Sequence, residues 1–175
     1  MQSKTILVLG GGIGGIVTAN EIRHQLPAMH RVVIVEKNAQ HAFAPSFLWL
    51  MTGDRQPEQI RRPLADLLRR GVELLHAEVI EIDPAHRQVR TSITEIAYDY
   101  LVVALGADLA PAAIPGLDRA AHSFFTFDGA RRLREVIKTF PGGRIAVVET
   151  IRPGRRIALR RPGPNARAVR RPPAL

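Results

Sequence analysis

Hydrophobic positions in this chain fall into short unbroken runs separated by glycine-rich or polar turns. The first run, Thr5-Ile6-Leu7-Val8-Leu9, stops at Gly10. An apolar, β-branched run without polar alternation predicts a strand buried on both faces, as in a parallel sheet. Residues 14–26 then place Ile16, Val17, Ala19, Ile22 and Leu26 near helical spacing, and Pro27 marks the end of that helix. Arg31-Val32-Val33-Ile34-Val35-Glu36 repeats the strand pattern. Strand, glycine turn, helix and strand within about 30 residues predict a right-handed βαβ crossover with parallel strands.

Residues 38–56 show no clean periodicity, yet hold Phe43, Pro45, Phe47, Leu48, Trp49, Leu50 and Met51. They read as a connection that must bury itself, either against the core or against a bound planar ring. Residues 63–70 predict a short helix with Pro63 in its first turn, stopped by Gly71. Val72–Leu75 predicts a third strand. Glu78–Ile82, Gln88–Ile93 and Glu95–Tyr98 predict a small meander, with Asp83-Pro84-Ala85-His86 as its first turn. Tyr100–Leu105 returns as a buried strand that ends at Gly106. A helix is expected over 128–139 and a further strand over Arg144–Glu149.

Charge changes this picture only at the C-terminus. The chain has 175 residues, 46% hydrophobic, with a formal net charge of +9. Residues 151–175 contain eight Arg, five Pro and no acidic residue, which leaves 17 basic against 16 acidic residues before them. The body is nearly neutral, so the basic excess is a property of the tail. That composition predicts disorder. It lacks aromatics to stack on bases, so no specific nucleic-acid partner is expected. The absence of cysteine excludes disulfides, thiolate metal sites and a redox-active Cys pair within this chain. No signal peptide or membrane-spanning helix is expected, and the six histidines show no metal spacing.

Candidate chemistry sits at the first turn. Gly10, Gly12 and Gly15 form G-x-G-x-x-G, with Gly11, Ile13 and Gly14 between them. The pattern uses one glycine for the tight turn, one for close approach of a pyrophosphate and one for helix–sheet packing. The helix N-terminus offers free N–H groups to phosphates. Glu36 ends the second strand, where a carboxylate can accept both ribose hydroxyls. On the bland alternative the glycines only make a tight turn and Glu36 is a solvated charge. That explains neither the spacing nor the glycine density. An ADP-containing dinucleotide, FAD or NAD, is therefore expected. The meander before the strand ending Ala104-Leu105-Gly106 departs from the plain strand–helix alternation of an NAD domain.

Tyr98-Asp99-Tyr100-Leu101-Val102-Val103-Ala104-Leu105-Gly106 resembles the second flavin signature of the pyridine nucleotide–disulfide oxidoreductase class, with Leu105 where Thr is common. Ile114-Pro115-Gly116-Leu117 resembles that family's continuation. Glu36-Lys37-Asn38 and His41–Leu50 look most like its sulfide:quinone oxidoreductase branch; type II NADH dehydrogenases are similar. The resemblance covers roughly residues 4–149 and implies FAD as cofactor. It places Gly10–Gly15 at the pyrophosphate, Glu36 and Lys37 at the ribose, and Pro45 and Ser46 near the flavin. Val79 falls at the adenine, while Ala104 and Gly106 return to the cofactor. Lys37 can equally be a surface charge, Pro45 and Ser46 a plain loop turn, and Val79 ordinary strand core. His41 is the one histidine beside this loop. Thr52-Gly53-Asp54, although similar to a late ribityl-binding motif, comes too early and reads as a turn.

In intact relatives the resemblance implies electrons passing from sulfide or NADH through FAD to quinone, in the cytoplasm or at the cytoplasmic face of a membrane. It also implies a substrate-facing cysteine after the strand at 144–149, a second dinucleotide-like domain and membrane-docking C-terminal helices. This chain has no cysteine, and no catalytic residue is assigned. The expected architecture is therefore α/β. An incomplete Rossmann-like FAD-binding domain with a parallel sheet and inserted meander spans 1–150, and a disordered Arg/Pro-rich tail spans 151–175. Out-of-frame reading of GC-rich DNA produces such a tail, and this fragment is not expected to associate with a membrane. A non-catalytic nucleotide-binding remnant is the alternative outside enzymology.

Overall fold

The computed structural model describes residues 2–147. The expected disordered tail at 151–175 lies outside the described residues. The chain divides into two units, Met1–Thr139 and Phe140–Leu175.

Strand β1 (Thr5–Leu9), helix α1 (Ile13–Gln25) and strand β2 (Arg31–Glu36) form the expected crossover. β1 and β2 pair in parallel, with Leu7 opposite Val33 and Leu9 opposite Val35. Both strands are almost wholly buried, which is why their sequences are apolar without alternation. One face of the sheet packs Val8, Val32 and Ile34 against Ala19 of α1. The other packs Leu7, Leu9, Val33 and Val35 against Val89 and Ile96.

The connection after β2 is more structured than its sequence suggests. It contains β3 (Gln40–Ala42), a 3-10 turn at Ala44–Ser46 and helix α2 (Phe47–Thr52). A second 3-10 turn (Pro57–Ile60) leads into β4 (Arg61–Pro63), antiparallel to β3. The short helix expected over 63–70 is only a 3-10 turn at Leu64–Leu67, because Pro63 is taken up by β4 pairing. Asn20 at the side of α1 then draws the chain off helical course, donating to the Leu67 carbonyl and accepting from the Arg69 N–H. Gly71 turns the chain with φ +90°.

β5 (Val72–His76) joins the main sheet beside β2. β6 (Val79–Asp83), β7 (Gln88–Thr91) and β8 (Glu95–Ala97) form the expected antiparallel meander. β9 (Tyr100–Val103) then returns beside β1, giving the parallel order β5-β2-β1-β9. It stops two residues short of the expected Leu105. The Ala104 N–H still reaches the Leu9 carbonyl at 2.8 Å, but β1 has by then turned away at Gly10. Helix α3 (Leu117–Ala120) is one turn long, and α4 (Phe127–Thr139) matches the helix expected from sequence.

α4 answers what the apolar connection buries against. Phe47 and Leu50 of α2 pack with Ile60, Phe127 and Ala130, the two phenyl rings meeting edge to face with centroids 6.2 Å apart. Phe43, Leu48 and Trp49 stay exposed. In the second unit residues 140–147 hold no regular element, so the strand expected at Arg144–Glu149 is absent over 144–147; its last two residues lie outside the described residues.

Candidate dinucleotide site

Gly10, Gly11, Gly12, Ile13, Gly14 and Gly15 come together where β1 hands over to α1. Gly10 has φ +101°, and its N–H donates to the Val35 carbonyl at 2.8 Å. A β-carbon on Gly10 would collide with the Ala104 carbonyl, and one on Gly15 with the Gly10 carbonyl. One on Gly11 would press on Glu36 and Leu64 at 2.7–2.8 Å. These three glycines are demanded by the protein's own packing.

Gly12 differs. It is exposed, and a β-carbon there would meet nothing within 4 Å. It is also the N-cap of α1, with no side-chain cap and no acidic residue in the first turn. The first N–H groups of the helix therefore have no intrahelical acceptor. Space that no atom of the described residues fills, in front of donors without an intrahelical acceptor at the positive end of a helix, fits an oxyanion. Gly14 lies beside it, and a β-carbon there would only touch Ala104 at 4.0 Å.

Glu36 closes the other side. Its Oε2 accepts the Gly11 N–H at 2.6 Å, and its Oε1 accepts the Asn38 N–H and Nδ2 at 2.8 and 2.7 Å. A carboxylate offers about four acceptor sites, so the Oε2 side keeps capacity for a hydroxyl. The turn is braced from the opposite direction by His41, whose Nδ1 bonds to the Gly11 carbonyl at 3.1 Å. Neither Asn38 nor His41 was assigned a role from the sequence, and only the position of His41 beside the loop hinted at one.

The remaining candidates are spread wider. Ala104 is half-buried beside Gly10 and Gly14, and Gly106 is exposed with φ +73°. Ser46 is buried at the start of α2, next to exposed Pro45. Lys37 is exposed and paired with Glu78 at 3.2 Å, and that carboxylate holds its ammonium above the ordinary lysine range. Val79 packs against the core beneath the meander. Thr52-Gly53-Asp54 is the C-terminal turn of α2, with Gly53 at φ +89°. Among the described residues no cluster of His, Asp and Glu could hold a metal ion.

With the turn, the meander and the returning strand in place, residues 4–148 match the family model of the pyridine nucleotide-disulphide oxidoreductases. The chain belongs to this family. It is 37% identical over 110 residues to the sulfide-quinone reductase of Aquifex aeolicus, covering 62% of this chain and 25% of that protein. It is 29% identical to the type II NADH:quinone oxidoreductase of Staphylococcus haemolyticus, covering 77% and 34%. The crystal structure of the Aquifex aeolicus sulfide:quinone oxidoreductase superposes with a TM-score of 0.71 at 29% identity, over 78% of this chain and 32% of that one. This family member thus spans about a quarter to a third of the relatives it matches, and has a Rossmann-like flavoprotein fold. Among its described residues, no helix is long and apolar enough to cross a membrane.

Proposed function

We propose that the chain is the FAD-binding part of a flavoprotein quinone reductase of the sulfide:quinone oxidoreductase type. The observation that carries this reading is the open space in front of Gly12 at the N-terminus of α1, next to the Gly11 N–H that Glu36 holds. Gly12, Ile13 and Gly14 would present N–H groups to the pyrophosphate, while Glu36 would accept a hydroxyl of the adenosine ribose. Pro45 and Ser46 would lie toward the flavin ring, and Ala104 and Gly106 would close on the cofactor from β9. Lys37 and Val79 would border the adenosine. FAD supplies two-electron redox chemistry when bound, and the protein orients and shields it.

The chain has no cysteine, so it supplies no thiolate to attack a sulfur donor. Sulfide as donor and quinone as acceptor are proposals for the whole enzyme, supported by the similarity to the sulfide-quinone reductase. The similarity to a type II NADH:quinone oxidoreductase supports NADH as the second reading.

The test is purification of the full chain, addition of FAD, and titration followed by flavin absorbance and fluorescence. Stoichiometric binding is expected. A chain that binds no FAD is a nucleotide-binding remnant at most. Bleaching of bound flavin by sulfide and not by NADH selects the first enzyme reading, and the reverse selects the second.

A further inference from the structure

A cavity of about 350 Å³ opens beside Ile13, the first residue of α1. His41, Ser46, Arg55, Gln59 and Arg62 supply its polar lining, and among the described residues no Asp or Glu takes part. His41 and Arg62 are directly opposed in the β3–β4 ribbon, so their side chains leave the same face. His41 is tied to the Gly11 carbonyl, which fixes this ribbon against the glycine turn. Among the described residues Arg62 forms no ion pair: its guanidinium donates to the carbonyl oxygens of Arg61 and Glu58, at 2.7 and 3.4 Å. Arg55 lies over the Trp49 ring at 4.6 Å.

Ser46 supplies an independent sign that a ligand belongs here. It is only 3% exposed and lines the cavity, and among the described residues its hydroxyl has no hydrogen-bond partner. The oxygen is not sealed from solvent, so it stays free to donate to or accept from a ligand that enters. Two arginines without a carboxylate partner among the described residues, lining one cavity with that hydroxyl and the first residue of α1, create a site for an oxyanion.

We propose that Arg62, held in place through its pairing with His41, anchors the phosphate groups of the dinucleotide from the cavity side of the glycine turn. This rests on the dinucleotide reading above. It adds a side-chain cation to a phosphate site otherwise built from main-chain N–H groups. A guanidinium suits the task because its planar fork matches two phosphate oxygens at once.

The experiment is calorimetric titration of the full chain and of Arg62→Gln and Arg62→Lys with three probes: inorganic pyrophosphate, adenosine and FAD. Arg62 is exposed and bonded only to main-chain carbonyls, so thermal unfolding of both variants should match the parent. Arg62→Gln is expected to weaken pyrophosphate and FAD binding by about tenfold, the size of one lost charge-assisted hydrogen bond, and to leave adenosine unchanged. Arg62→Lys should recover only part of the loss. Pyrophosphate binding that is absent from the parent, or equal in parent and Arg62→Gln, overturns the inference. If pyrophosphate binds in an Arg62-dependent way while FAD does not bind at all, the anion site stands and the FAD reading fails.

Discussion

The Glu36 carboxylate accepts the Gly11 N–H at 2.6 Å, so the end of β2 holds the glycine turn before any ligand arrives. The same carboxylate caps Asn38. Replacing Glu36 with Gln keeps one acceptor oxygen and puts an N–H donor where the second was. Loss of about 1–2 kcal/mol in urea denaturation is expected from the broken main-chain bonds. FAD affinity should fall about tenfold as the ribose loses a charged acceptor. A stability loss with unchanged FAD affinity would reduce Glu36 to a brace.

Gly12 and Gly15 separate cofactor space from packing space. Gly12→Ala adds a methyl group to open space, so its unfolding free energy should stay within about 1 kcal/mol of the parent, the usual N-cap difference. Its FAD binding should be lost. Gly15→Ala drives a methyl group into the Gly10 carbonyl, and a loss of about 3 kcal/mol or more is expected. Denaturation and FAD titration on both variants check the pair, and equal destabilisation would contradict the assignment of Gly12 to the ligand.

Asp99 joins the starts of β1 and β9. It accepts from the Lys4 ammonium and the Thr5 N–H, both at 2.8 Å. The Lys4 bond first, and the Thr5 bond next, hold the Asp99 carboxyl below its ordinary range. A value depressed by folding adds stability at neutral pH, and that stability drains away as acid protonates the group below about pH 4. Asp99→Asn is expected to be less stable than the parent at pH 7, with the gap closing on the acid side. Unfolding free energies of both proteins measured against pH would show a constant gap if the bridge contributes nothing.

Phe127 fastens α4 to α2. Its ring meets Phe47 edge to face, and the Arg61 guanidinium lies 3.6 Å from its centroid. Phe127→Ala should cost about 3–5 kcal/mol and loosen the segment around α2. Hydrogen exchange should rise first in α2 and α4, while β1 and β2 keep their protection.

The parallel strands were legible because their residues are buried on both faces, so Leu7, Val8, Val33 and Ile34 announce themselves without reference to anything distant. α4 was legible for a similar reason, since its period is its own. α2 was not, because Phe47 and Leu50 are buried only against Phe127 and Ala130, far along the chain, and a six-residue helix offers too few turns to show a period. β3 and β4 stayed hidden because Arg61, Arg62 and Pro63 carry no strand signal and are held by the register alone. At the site, the glycine spacing and Glu36 could be read directly. The bracing by His41 and Asn38 could not, since it depends on where a loop folds back.

Gly10 leans on the carbonyl of Ala104, which the chain supplies only after the meander is complete. A ribosome releases the glycine turn early, yet its final shape waits for β9 to dock beside β1. Closing so long a loop carries an entropy cost that local contacts cannot offset in advance. A nascent chain interrupted before β9 emerges would leave the main-chain edge of β1 unpaired, an open edge on which other strands can add.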